Sequence, residues 1–401
     1  MVPAILRIIL ISLVFRVLSG FFLHPWVHAE DRAIRHEVTG GIRWISDEYT
    51  YDDYVVNGEA FPAIVGSFDQ KFLILTSSYT FFFTPVIEEQ DGPIALQRFY
   101  SHPGLFSVNF SYQPEKGTTY TYQDRASHYR SYRYRDERAR SAGLNFEYYL
   151  WRNTGLSFQF SSIKNKQDVR TLNTLNDRGT GENNEIRRYY GVGVSHYFLK
   201  HSNIRLSYTG FDFDYLGTER TWTASKSSLF TAYFGDTATT GRKVTLMGEY
   251  IFRKILGIQG FHEIWDQKAH SKMTSSYYGV SSGLISYYDD DATNYSFGTA
   301  LSLYIGKKTT FRVGGSYTLQ KLERTYNTTD QVVEYDWNIT TVEVGIFRYL
   351  NRYIGMQIGY EFARRDGDVL TWHPESETDL RTAYTAKAEF HALYVGLTGR
   401  F

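Results

Sequence analysis

Through most of the chain, apolar and polar side chains alternate with a period of two, the pattern of a strand whose two faces meet different surroundings. In residues 155–163, Leu156, Phe158 and Phe160 share one face while Gly155, Ser157, Gln159 and Ser161 share the other. The same division separates Leu144, Phe146, Tyr148 and Leu150 from Ser141, Gly143, Asn145 and Glu147. It recurs at Phe311, Val313, Tyr317 and Leu319 against Arg312, Gly314, Ser316, Thr318 and Gln320, and at Ile354, Met356, Ile358, Tyr360 and Phe362 against Gly355, Gln357, Gly359 and Glu361. One face is greasy and aromatic, the other small and polar. The pattern predicts fourteen strands, at 33–48, 70–83, 104–118, 137–150, 155–167, 184–199, 203–215, 240–252, 256–267, 292–305, 310–324, 333–349, 353–365 and 383–401. Residues 273–288 also look extended, either as a hairpin within a long loop or as two further strands, so sixteen is the second count.

The connections alternate in length. Short turns fall near Asn153, His201, Lys254, Lys307 and Asn351, about 44 to 53 residues apart, the spacing of one hairpin plus one longer connection per repeat. Between them lie polar stretches at 49–69, 119–136, 167–183, 216–239, 268–291, 325–332 and 366–382, read as long loops.

Alternation does not say which face meets water, because a soluble sandwich hides its apolar face and a membrane barrel shows it to lipid. Composition narrows the choice. The chain has 34 Tyr, 28 Phe and 7 Trp, yet its mean hydropathy is −0.38. Aromatics crowd the strand ends at Tyr149, Trp151, Tyr189, Tyr190, Tyr197, Phe198, Tyr250, Phe252, Tyr304, Phe347, Tyr349 and Tyr353, as in the girdles of a membrane barrel. A bundle of membrane helices is excluded, because the one long apolar run lies at the N-terminus. That run, from Ile8 to Leu23 after Arg7 and before Val27-His28-Ala29, reads as an export signal cleaved after Ala29, which leaves 30–401 as a single barrel domain. The expected fold is therefore all-β: a transmembrane antiparallel up-and-down barrel of about 14 strands, with short periplasmic turns and long extracellular loops, in the outer membrane of a Gram-negative bacterium.

The last residues add a resemblance. In HALYVGLTGRF, Leu393, Val395, Leu397 and Phe401 alternate up to an aromatic C-terminus, which resembles the closing strand of bacterial outer-membrane β-barrel proteins. The resemblance implies recognition by the barrel assembly machinery through the strand ending at Phe401. The segment YTFFFTPVIEEQDGPIALQRFYSHPG, residues 79–104, is similar to the first inner connection of uncharacterised putative porins. Its Pro85 and Pro93 are expected to stop strand pairing, and Ile94 to Tyr100 to form a short helix at the rim or pore mouth, either as a plain long turn or as a constriction or partner-docking element.

Candidate chemistry is sparse. With no Cys there is no disulfide, thiolate metal site or haem attachment, and 43 basic against 43 acidic residues give no excess that points to nucleic acid. The His residues are scattered, and no P-loop, nucleophile elbow or HExxH occurs. The run Asp289-Asp290-Asp291 reads as solvated loop charge, with a divalent-cation or acidic-protease site as the weaker alternative. Trp265 near His262 reads as interface decoration. No enzyme and no cofactor are expected. Arg43, Glu147, Arg187, Glu249, Arg312 and Glu361 fall on the small-polar face and are candidate pore-lining residues, either as a filter for small solutes or as structural ion pairs. The leading expectation is a porin-like diffusion channel in contact with outer-membrane lipid and lipopolysaccharide. The alternatives are a non-conducting adhesion or ligand-binding barrel and, more remotely, an outer-membrane hydrolase.

Overall fold

A computed structural model describes residues 33–56, 59–61, 64–87, 93–124, 129–151, 153–173, 178–199, 201–222, 229–277, 280–327, 331–372 and 382–401. The expected export signal lies outside the described residues. The strands are β1 (Ala33–Val56), β2 (Glu59–Phe61), β3 (Ile64–Ile87), β4 (Leu105–Asp124), β5 (Tyr129–Trp151), β6 (Thr154–Asn173), β7 (Arg178–Leu199), β8 (Ser202–Trp222), β9 (Leu229–Phe252), β10 (Leu256–Tyr277), β11 (Val280–Ile305), β12 (Thr309–Tyr326), β13 (Gln331–Tyr349), β14 (Ile354–Trp372) and β15 (Thr382–Arg400). Between β3 and β4 a 3-10 turn (Ile94–Leu96) leads into the helix α1 (Gln97–Ser101).

Every long strand pairs antiparallel with its neighbours in the chain, and β15 pairs with β1, so fourteen strands close into an up-and-down barrel. The three-residue β2 only folds back on the end of β1. Closure leaves no free edge, the condition for a sheet to stand in hydrocarbon. Phe158, Leu206, Leu301 and Ile358 are about half exposed on the outer wall, forming the apolar band that alternation predicts. At the closing seam the Arg400 guanidinium lies 2.7 Å from the Glu37 carboxylate, both largely buried, while the Phe401 carbonyl accepts from the backbone N–H groups of Arg35 and His36.

The strand count is fourteen, and residues 273–288 belong to the far ends of β10 and β11, a hairpin and not two extra strands. The polar stretches read as long loops are corrected. Most of 119–136, 167–183, 216–239 and 268–291 is strand, and 125–128, 174–177, 223–228 and 278–279 lie outside the described residues. The reason is that alternation between greasy and polar marks only wall that faces lipid. Above the bilayer the outer face is wet too, so the contrast fades while backbone pairing continues. Strands of 18 to 26 residues exceed the roughly 9–11 needed to span the membrane, so the wall projects well beyond it.

Pro85 does not end β3. It sits in a bulge, where pairing with β1 skips from Phe81 to Val86 before the chain turns inward.

Candidate functional site

The interior is built by alternation, and its floor is the segment after β3. Pro93, Ile94, Leu96, Gln97 and Phe99 are buried, although they precede and form a helix of only five residues. Such a short helix is held by its surroundings, not by its own propensity. Leu96 and Phe99 form one cluster with Tyr197 of β7, Ile251 of β9 and Tyr304 of β11, with Tyr149 of β5 packed against it. The Phe99 and Tyr197 rings meet edge to face at 5.2 Å, and Lys254, in the β9–β10 turn, sits 5.4 Å from the Tyr100 ring. Beside Tyr304, the Ile94 N–H donates to the carbonyl of Lys307, in the β11–β12 turn, at 2.9 Å. On the near side Arg98 lies over Phe82 of β3. His102, at φ 44°, ends the helix in the left-handed region and stacks on Tyr149. The segment thus crosses the mouth at the short-turn rim, the periplasmic one in barrels of this kind. It is the helix at the pore mouth that the sequence suggested, and its apolar contacts hold this plug-like segment against the inner wall.

Several aromatics assigned to the outer girdle are corrected here. Tyr149, Tyr197, Tyr304 and Tyr349 are turned inward, the last three buried, whereas Trp151, Tyr190, Phe198, Tyr250 and Phe252 remain exposed outside. Neighbours along a strand point to opposite faces, so Tyr197 and Phe198 divide between plug and lipid.

Directly above the plug, buried Glu147 accepts from Tyr149 Oη at 2.8 Å and from Arg205 Nη2 at 2.9 Å. Arg43 meets Glu361 at 2.6 Å. Arg312 donates to Glu343 and to Gln259, each at 3.0 Å. Arg187 donates to Glu185 at 2.6 Å and lies over Phe213. Glu249 is half-buried, with Arg312 and Arg205 as the cations acting on it. Of the six candidates, then, Arg43 and Glu361 form an ion pair, and Glu249 lies in the field of Arg312. The others join residues whose place was not legible, because pairing across one or two strands depends on register. Pairing also sets an expectation: Glu343→Gln with Glu361→Gln would take the contacting carboxylate from Arg43 and from Arg312, so reversal potentials in a salt gradient should shift toward anion preference in a conducting protein.

Higher in the lumen an aromatic surface faces a cavity of about 480 Å³, lined by Asn145, Gln159, Ile163, Tyr189, Thr209, Phe211, Lys243 and Trp265 among others. Phe211 is buried and meets Trp265 edge to face at 5.3 Å, while Tyr189 lies 6.0 Å from Phe211. The Trp265 indole nitrogen is buried without a hydrogen-bond partner. Trp265 is therefore an inner-wall residue, not interface decoration; the usable signal was its odd position on β10, in phase with Gln259 and Glu263. Across the barrel Val333, Trp337, Val369 and Ala386 form a second inward cluster, with Arg365 3.8 Å over the Trp337 ring.

Asp289-Asp290-Asp291 is dispersed by the same alternation. Asp290 is held by Arg324 through two hydrogen bonds of 2.7 and 2.9 Å, and Asp291 meets Lys268 at 3.2 Å. Asp289 accepts from Asn327 and meets His270, and these contacts hold its carboxyl below the ordinary carboxylate range. Among the described residues no group of three metal-ligating side chains converges.

No protein-family model matches the chain, and no curated protein matches it in sequence. Solved structures share its fold. The toluene transporter TodX of P. putida aligns over 92% of this chain and 90% of its own, with TM-score 0.54 and 10% identity. A FadL homologue of Pseudomonas aeruginosa aligns over 91% and 90%, with TM-score 0.54 and 9% identity. The fold is that of the Gram-negative outer-membrane barrels.

Proposed function

We propose that the protein is an outer-membrane channel for small solutes, shut at its periplasmic mouth by residues 93–103, and that its solutes are apolar or aromatic. The observation that carries this reading is the conjunction of the plug with the cavity above it. A diffusion pore filters with charged rings in a wet constriction. Here Arg43 and Arg312 are paired with carboxylates, while Tyr189 and Trp265, backed by the buried Phe211, offer ring surface to a compact guest. Aromatic rings of this kind favour offset and edge-to-face contact with a second ring. That one fold neighbour is described as a toluene transporter and another as a FadL homologue supports the same direction. The porin-like reading is thereby narrowed to a gated channel. The strand ending at Phe401 serves, on this reading, as the signal for barrel assembly.

The test is uptake. Proteoliposomes holding the protein should take up a labelled monoaromatic hydrocarbon faster than empty liposomes, and sugars of similar size no faster. Replacing Phe211 and Trp265 together by Ala removes two rings from the cavity wall, and with each edge-to-face contact contributing about 0.5–1.5 kcal/mol, uptake at low solute concentration should fall by about tenfold. Equal uptake of sugar and aromatic by the intact protein would favour an unselective pore. No uptake of either would favour the adhesion or ligand-binding reading.

A further inference from the structure

Just above the apolar band, the outer face carries a charge pattern that strand pairing opposes. On β5 and β6 the continuous run of large outward apolar side chains ends at Leu144 and Phe160, and after Ala142 and Ser162 come Arg140 and Lys164, followed by Arg138 and Lys166. Arg140 stands directly opposite Lys164, and Arg138 directly opposite Lys166. All four are exposed. Directly opposed side chains in an antiparallel pair have their Cβ atoms about 5 Å apart, and like charges placed there destabilise the pair. Here two such pairs stand side by side. Lys166 is neutralised by Glu182 at 2.8 Å, and Arg140 lies over the Tyr112 ring. Among the described residues neither Arg140 nor Lys164 has a carboxylate partner. Elsewhere above the band outward arginines do: Arg188 meets Asp212 at 2.6 Å, Arg242 meets Asp266 at 3.2 Å and Arg364 meets Asp366 at 2.7 Å. The directly opposed pair Arg140 and Lys164, without a carboxylate, thus marks β5 and β6.

Its height selects the occupant. The cluster begins where the greasy wall ends, the level at which lipid headgroups meet a barrel, and an Arg with a neighbouring Lys suits a phosphate, the Arg by its planar fork and the Lys as a point charge. We infer that Arg140 and Lys164, flanked by Arg138 and Lys166, bind the phosphate of a phosphorylated lipid headgroup in the outer leaflet, whose acyl chains run down over Leu144, Phe158 and Phe160. The bound anion relieves the cross-strand repulsion and fixes the depth of the barrel at this sector. The site requires the barrel to sit in lipid but not to conduct, so failure of the channel reading leaves it standing.

The test uses the full-length protein refolded in detergent. Binding of bis-phosphorylated lipid A and of chemically dephosphorylated lipid A is compared by native mass spectrometry, and heat-induced unfolding is followed by the gel shift. The intact protein should bind the phosphorylated form about tenfold more tightly, and Arg140→Gln with Lys164→Gln should abolish that preference. In detergent without lipid A the double variant should unfold no earlier than the intact protein, since a repulsion has been removed, and the single variant Lys164→Gln should lie between in lipid preference. Adding lipid A should raise the unfolding temperature of the intact protein alone. The inference is overturned if the double variant keeps the full preference, if it unfolds earlier without lipid, or if inorganic phosphate at the same phosphate concentration displaces lipid A. That last result would mark a free-anion site instead.

Discussion

Replacing residues 94–101 by a short glycine linker is expected to turn a mostly shut barrel into one that conducts steadily in a planar bilayer, the largest single change the structure predicts. The segment reaches from β3 across to the β11–β12 turn, and its Leu96 and Phe99 are buried against Tyr197, Ile251 and Tyr304. A milder variant grades the effect. Truncating a buried Phe to Ala costs about 3–5 kcal/mol. If Phe99→Ala removes about 3 kcal/mol from the docked state, the ratio of open to shut dwell times should rise by about a hundredfold. Tyr197→Ala should act in the same direction from the wall side. Identical current traces for the intact and plugless proteins would remove the plug from the mechanism. Silence from both would move the barrier upward, toward the ring around Trp337 and Arg365.

The second large effect is expected at the seam. Glu37 and Arg400 face each other across the β1–β15 pair, with side chains 13% and 9% exposed, and the Arg400 guanidinium also lies over Tyr349. Removing one partner of such a pair leaves a buried charge without compensation, at a cost of about 3–5 kcal/mol. Arg400→Met should therefore lower the midpoint of unfolding in denaturant and the temperature of the gel-mobility shift. Glu37→Gln with Arg400→Met should recover part of the loss, because the orphaned carboxylate is gone. A single variant that unfolds like the intact protein would mean that backbone pairing at the seam suffices.

The barrel was legible because lipid imposes a strong contrast on each strand. Phe158 between Ser157 and Gln159, or Ile358 between Gln357 and Gly359, reveals both strand and facing without any long-range knowledge. The contrast ends where lipid ends, so the outer halves of β9, β10 and β11 looked like loops although their backbones pair to Tyr277 and Val280. The site was legible only in part. Phase along a strand places Arg43, Glu147 and Arg312 on the inner face, but finding Glu361, Arg205 and Gln259 opposite them needs the register of neighbouring strands. Aromatic residues are the hardest to place, because lipid girdle, plug seat and solute cavity all favour the same rings. Tyr189 lines the cavity and Tyr190 faces lipid, and composition cannot tell one from the other.

The plug lies between two strands of the wall instead of preceding them, and both its ends are anchored, by Phe83 and Gly104, whose backbones are themselves hydrogen-bonded at 2.7 Å. A stopper tethered at both ends stays at a high effective concentration beside its seat. If it gates as proposed, it swings aside without being swept into the periplasm, and reclosing is a first-order event that does not depend on how much protein the membrane holds. Each passage would then be a brief lapse in an otherwise sealed envelope, with its duration written into the contacts of Leu96 and Phe99.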